Sequence, residues 1–191
     1  MRIGVDVDDT IGDLIVKLNE WHNLVYDTSF TCDSYDVYGL YETWGCSKDD
    51  RSERLHQFFE SVTFDQVVPF FRAPEIMFAL SMYHEMHIIT SRPEYLKEHT
   101  NDWIDKYFSN TFHSVNVIGM DGEISKSEEC KRLGLEAMID DAPHNIIDCH
   151  NAGIKTYLIK APWNKNYDAP EGVIKVQNLY ELADILIPSI K

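Results

Sequence analysis

Positive charge is scarce: 17 Lys and Arg stand against 32 Asp and Glu in 191 residues, a formal charge of −15 at pH 7. Broad binding to polymeric nucleic acid or to an anionic membrane needs a basic footprint that this chain lacks. A small anionic substrate, held locally by a metal, amide groups and one or two cations, remains compatible with the balance. Long apolar runs are missing too, and none approaches the roughly 18 residues of a membrane-spanning helix. The opening MRIGVDVD carries aspartates and no extended apolar segment, so it does not read as a secretory signal. Cysteine is sparse: Cys32, Cys46, Cys130 and Cys149 form no CxxC pair, and the expectation is reduced structural thiols in a cytoplasmic protein. The histidines show no metal-binding spacing of the HExxH kind. Internal repeats, low-complexity tracts and flexible linkers are absent as well.

What is present is an ordinary globular composition, 44% hydrophobic and 26% charged. The length suits one domain with room for an inserted subdomain. At this size folding hides roughly 70% of the unfolded chain's surface, enough for a core without disulfide staples. Residues 2–6 (RIGVD) read as a buried strand running into an acidic turn, DVDDTIGD. From Leu14 to Tyr26, Leu14, Leu18, Trp21 and Val25 fall at helical spacing. Residues 27–48 show no sustained period, and a second helix is expected from Asp49 to Ser61, with Leu55, Phe58 and Phe59 on its apolar side. Pro69 and Pro74 bracket the return to the main body.

Beyond that point strand signals at 86–90, 114–118, 136–140 and 154–159 alternate with helical stretches at 75–84, 94–107, 125–133 and 143–152. A terminal helix is expected over 179–187. Such alternation predicts right-handed crossovers and an α/β fold, a Rossmann-like parallel sheet with helices on both faces. The interval between the first two strands is too long for a simple crossover. Residues 12–72 are therefore expected to form a small helical cap, with residues 1–11 and 73–191 as the core.

Ligands of an open parallel sheet gather beyond the carboxyl ends of its strands. The first strand delivers Asp6, Asp8 and Thr10 there, the second Thr90, Ser91 and Arg92, and the fourth Asp140 and Asp141. Lys126 opens the helix that precedes the fourth. Two carboxylates about 4 Å apart repel by roughly 4 kcal/mol at an effective dielectric of 20. Gathering Asp6, Asp8 and one of the 140–141 pair thus calls for a divalent cation. Oxygen ligands beside a phosphate favour Mg²⁺.

Residues 6–10, DVDDT, resemble the DxDx[TV] motif of the haloacid dehalogenase superfamily of phosphotransferases. IITSR, Lys126 and IDDAPHN agree with its remaining motifs in order and context, and a cap at 12–72 occupies its type-one position. KAPWNK at 160–165 is similar to a sequence of the deoxyribonucleotidase-like branch, the cytosolic type-C 5′(3′)-nucleotidases. The resemblance implies a phosphoric monoester hydrolase with Asp6 as nucleophile and Asp8 as general acid and then base. It also implies Lys126 against the developing charge, and Thr90, Ser91 and Arg92 at the phosphoryl group. Metal ligation would fall to the Asp6 side chain, the Asp8 carbonyl and the Asp141 side chain, with Asp140 the candidate for a place outside the ligand set. The acid role requires Asp8 to begin protonated.

Plainer roles compete at several positions. Thr90 and Ser91 are candidate helix caps, Lys131 rivals Lys126, and Arg92 either meets substrate or pairs with a nearby acid. Trp163 and Asn164 either line the entrance or pack; Tyr35, Tyr38, Tyr41, Trp44, Phe58 and Phe59 are packing candidates, with one or two of them candidates to stack on a base. The expected substrate is a small phosphomonoester, a nucleoside monophosphate first. A sugar-phosphate phosphatase and a non-catalytic binding module with the same fold are the alternatives. A homodimer is one candidate assembly.

Overall fold

The computed structural model describes residues 1–120 and 124–188. Six strands form one parallel sheet: β1 (Arg2–Val5), β2 (Glu85–Thr90), β3 (Ser114–Val117), β4 (Ala137–Asp140), β5 (Lys155–Ile159) and β6 (Ile174–Val176). Their spatial order is β3-β2-β1-β4-β5-β6, with every pairing parallel. The chain builds outward from β1 on one side, then crosses back to β4 on the other. The carboxyl ends of β1 and β4 therefore flank the crevice where the winding direction changes, the usual ligand position in such a sheet. The fold is the expected Rossmann-like α/β architecture.

Alternating side chains cover the two faces. Ile88 and the β4 residues Ala137 and Ile139 face a cluster containing Ile76, Met77 and Leu80 of α4 (Ala73–Ser81). The same cluster takes Trp103 and Ile104 of α5 (Lys97–Tyr107) and Leu182 and Leu186 of the last helix, Leu179–Leu186. Ile89 and Met138, one residue out of phase, meet Cys130 of α6 (Lys126–Leu133) and Cys149 of α7 (Pro143–Asn151) on the opposite face. A one-residue slip would exchange these sets, so the burial pattern pins the register. β6 had no signal in the sequence; its three residues are too few to display a period, and it adds to the edge through β5.

Between β1 and β2 the chain forms α1 (Leu14–Tyr26), the one-turn α2 (Leu40–Thr43) and α3 (Lys48–Phe59). These segments share a separate apolar cluster, including Leu18, Trp21, Tyr35, Leu55 and Phe58, which meets the sheet body at Leu96, Ala161 and Trp163. The outgoing and returning chains run antiparallel where they leave the body: Phe70 N donates to Ile11 O at 2.9 Å, and Asp13 N to Val68 O at 3.0 Å. Gly12 sits close against the body in this neck: a Cβ there would stand 3.2 Å from the Trp103 ring, which would have to shift by a few tenths of an ångström.

His22 is enclosed in this cluster, stacked against Trp44 at 4.4 Å and Tyr26 at 4.7 Å between ring centroids. Its Nδ1 lies 2.9 Å from Thr28 Oγ1, and its Nε2 lies 3.1 Å from Arg54 Nη1, so Nε2 accepts and the ring is neutral. Burial and the Arg54 charge push its pKa from 6.5 down to about 4. Folding then binds fewer protons than the unfolded chain within that window. The stability His22 contributes is complete above pH 6.5 and lost as pH falls toward 4. Thermal unfolding of wild type and His22→Gln should show a stability difference that narrows over this interval; a constant difference would contradict the neutral ring.

Candidate active site

The loop after β1 positions the acidic residues. Asp6 N donates to Ile139 O at 3.0 Å, which ties the end of β1 to β4. Asp9 then adopts a left-handed conformation, φ 59°, which Asp tolerates better than most residues. Its N donates to Gly12 O at 2.8 Å, and Ile11 N and Gly12 N both donate to Val7 O, closing a tight loop. The Asp9 carboxylate turns away and accepts from Ile15 N at 2.9 Å, fixing the start of α1. Burial, against that bond, pushes the Asp9 pKa well up.

Lys126 enters from the first position of α6, where Ser125 and Glu128 form a reciprocal cap. Its ammonium group, 3% exposed as a residue, donates to Asp6 Oδ1 and Asp140 Oδ2, each at 2.6 Å. Burial opposes its charge, but Asp140 and Asp6 outweigh that and push its pKa up. Asp140 is fully buried, with Oδ1 accepting from Ala142 N at 2.8 Å and Oδ2 also accepting from Asn145 Nδ2 at 3.0 Å.

Asp141 is held by different partners. Thr10 Oγ1 donates to its Oδ1 at 2.9 Å and Trp163 Nε1 to its Oδ2 at 3.0 Å. Asn164 Nδ2 donates to the Asp141 and Ile159 carbonyls, each at 2.7 Å. The Pro162–Asn164 turn thus grips Asp141 by both side chain and backbone. This gives the PWN sequence a physical purpose.

Ligand atoms of Asp6, Asp140 and Asp141 all lie within 4.8 Å of one another. Burial raises the Asp6 pKa to about 7; Lys126 opposes the shift, while Asp140 and Asp8 add to it. Asp141 is pushed well up by burial and then by Asp140, Asp6 and Asp9, against the Thr10 bond. The cluster is short of positive charge. A hard dication fits that donor set, since oxygen ligands and excess negative charge are what it requires.

Thr90, Ser91 and Arg92 all border the same cavity at the end of β2. Arg92 does not turn its donors toward open space. It is 2% exposed and donates to Asp8 from Nε at 2.9 Å and from Nη2 at 2.6 Å, and to Thr100 Oγ1 from Nη1 at 3.3 Å. Phe64 and Trp103 carry its guanidinium at 5.3 and 5.8 Å from their centroids. A bidentate fork of this kind is complementary to an ionised carboxylate. Both Asp8 oxygens are engaged by Arg92 in this way. Lys131 lies along α6 beyond the site; Lys126 is the lysine that reaches the aspartates.

The cavity above the cluster measures about 380 Å³. Tyr35, Tyr38, Tyr41 and Phe59, from the segment between β1 and β2, line it together with Trp163. Lys48 and Arg51 at the start of α3 line it too; no sequence signal distinguished them from a solvated helix face. Among the described residues, no helix is long and apolar enough to cross a membrane.

A six-stranded parallel sheet whose β1 and β4 ends present Asp6, Asp8, Asp140 and Asp141 beside Lys126 defines a phosphatase of the haloacid dehalogenase class. Solved structures share the fold. A haloacid dehalogenase-like hydrolase from Streptococcus pneumoniae superposes with a TM-score of 0.69 at 15% identity, covering 96% of this chain and 97% of that one. A candidate phosphoglycolate phosphatase from Lactobacillus delbrueckii subsp. bulgaricus gives 0.70 at 16% identity, covering 97% of each. Residues 1–189 match the model of the family described as 5′ nucleotidase, deoxy (Pyrimidine), cytosolic type C protein, and the chain belongs to that family. A candidate nucleotidase of Halalkalibacterium halodurans is 21% identical over 181 residues, covering 94% of this chain and 89% of that protein. The protein is accordingly a phosphoric monoester hydrolase, and phosphate esters of small molecules are its substrate class.

Proposed function

We propose that the protein is a Mg²⁺-dependent nucleotidase that removes phosphate from deoxynucleoside monophosphates through an aspartyl-phosphate on Asp6. The observation that carries this reading is the buried triad of Asp6, Asp140 and Asp141, matched by one lysine and opening into an aromatic-walled cavity. A cavity of that size suits a nucleotide-sized ligand. Residues 12–72 serve as the cap over a core of 1–11 and 73–191, and the cap supplies the cavity's aromatic wall. Expression in the cytoplasm is consistent with free thiols at all four cysteines.

Asp6, the Asp8 carbonyl and Asp141 would hold the cation. Asp140 stays outside the set because its oxygens take three donors, the Lys126 ammonium among them, whereas each Asp141 oxygen takes one neutral donor. When bound, Mg²⁺ supplies charge neutralisation for the aspartates and for the phosphoryl oxygens. Asp6 Oδ attacks phosphorus in line, forming an O–P bond as the ester O–P bond breaks. Lys126 stabilises charge on the phosphoryl group, while the Thr90 hydroxyl and Ser91 bind its oxygens. Asp8 takes a proton from solvent, gives it to the departing ester oxygen, and later takes one from the water that cleaves the acyl phosphate. Arg92 serves here as the residue that positions Asp8. One of its two bonds to that carboxylate must yield before Asp8 accepts a proton.

Phosphate release from a broad panel of phosphomonoesters, with Mg²⁺ and with chelator, tests the assignment. Among esters whose leaving group carries no further anion, deoxynucleoside monophosphates should give the highest kcat/KM, chelation should abolish turnover, and Mg²⁺ should raise the thermal midpoint of the free protein. Strong preference for hexose phosphates would overturn the substrate assignment. Absence of turnover across the panel would favour a binding module.

A further inference from the structure

Two cations besides Lys126 and Arg92 border the cavity. Lys48 and Arg51, one turn apart at the start of α3, both line it. Some surface cations are matched by carboxylates, such as Lys17 with Glu20 and Lys97 with Glu94. Among the described residues, Lys48 and Arg51 have no such partner. Asp49 and Asp50 lie between them in sequence; Asp50 is bound to Ser47 by the helix cap, and neither forms an ion pair with Lys48 or Arg51. The Lys48 ammonium lies 5.5 Å from the Tyr41 ring centroid instead. The Arg51 Nε is shielded from solvent and makes no hydrogen bond. A sheltered donor without an acceptor is unfavourable, and it gains when a ligand supplies one.

Both groups only donate, and the guanidinium fork matches a phosphate or carboxylate by shape as well as charge. The scissile phosphate belongs with Lys126 and the aspartate cluster, so it is not the anion these residues await. We propose that the preferred substrate carries a second anionic group, a phosphate or a carboxylate, on its leaving group, and that Arg51 grips it while Lys48 attracts it at the rim. The inference rests on the phosphatase reading of the aspartate site and narrows its substrate class. A plain nucleoside leaving group would offer these cations only neutral oxygens. The aromatic lining remains available for a base or another flat spacer.

Binding to Asp6→Asn protein, measured by calorimetry with Mg²⁺ so that ligand is not consumed, tests this without relying on turnover. Two matched pairs serve as probes. One is thymidine 5′-monophosphate against thymidine 3′,5′-bisphosphate, and the other is an alkyl phosphate against the same chain bearing a terminal carboxylate. The doubly anionic member of at least one pair should bind about tenfold tighter or more, and the pair that shows this identifies the anion. Adding Arg51→Met should erase that preference, and Arg51→Lys should retain part of it. Lys48→Met, at an exposed position, should cost only about two- to threefold and lose its effect at high salt. No preference in either pair, or a preference that survives Arg51→Met, would overturn the inference. An equal loss for the monophosphate and the bisphosphate in Arg51→Met would overturn it too, since it would indicate a neutral acceptor. Failure of the underlying phosphatase reading would be visible separately, as absence of p-nitrophenyl phosphate turnover by the wild-type protein with Mg²⁺.

Discussion

Replacing Asp6 by Asn should lower kcat by about 10⁴-fold or more, the scale seen when a covalent nucleophile is removed. The amide keeps the shape of the side chain but offers phosphorus no anionic oxygen. The fold should tolerate the change. Lys126 retains Asp140 at 2.6 Å, and the variant removes a carboxylate whose charged form is disfavoured, as its pKa of about 7 records. In the metal-free state the variant should therefore melt no lower than wild type at pH 8. A kcat within tenfold of wild type, measured on the best substrate of the panel, would remove Asp6 from the nucleophile role. A collapsed melting midpoint would show instead that Asp6 is chiefly structural.

Lys126→Met should damage both stability and turnover. The ammonium makes two charge-assisted bonds in a site from which solvent is almost excluded. Its loss leaves Asp6 and Asp140 buried beside Asp141 with no cation. Removing one partner of a buried ion pair costs about 3–5 kcal/mol, because the remaining charge is uncompensated. Adding Asp140→Asn should recover part of that loss, since the two changes act on one network and are not additive. On turnover, loss of a fixed positive charge at the phosphoryl group should lower kcat by about 10²–10³-fold. The double variant should stay slow even where its stability returns. Recovery of kcat along with stability would mean that Lys126 acts only by holding the structure together.

The alternation of strands and helices, and with it the delivery of four segments to one rim of a parallel sheet, were legible because they depend on local patterns; the strand order was not. MHIIT and EAMID read as strands from their apolar runs, and Asp6, Thr90 and Asp140 stand at strand ends whatever the side chains later do. The family-like motifs then stood out at those ends. Pairings between distant side chains were not legible in this way. Arg92 and Asp8 meet across 84 positions, and their bidentate contact depends on the packing of Phe64 and Trp103 around the guanidinium. Adjacent Asp140 and Asp141 differ in chemistry only through their partners: Lys126, Asn145 and an amide for one, Thr10 and Trp163 for the other. Arg51 resembled any polar residue on a surface helix. Its unpaired Nε appears only once α3 is placed over the cavity.

The central claim is that Asp6 becomes covalently phosphorylated while the neighbouring aspartates hold a divalent ion. Rapid acid quenching of wild-type enzyme during turnover with Mg²⁺, followed by mass spectrometry of its tryptic peptides, addresses it directly. The account predicts one added phosphoryl group on Asp6, in the peptide spanning residues 3–17, and its disappearance when Mg²⁺ is chelated. A phosphoryl group on a different residue, or none in enzyme quenched while it turns over substrate, would contradict it.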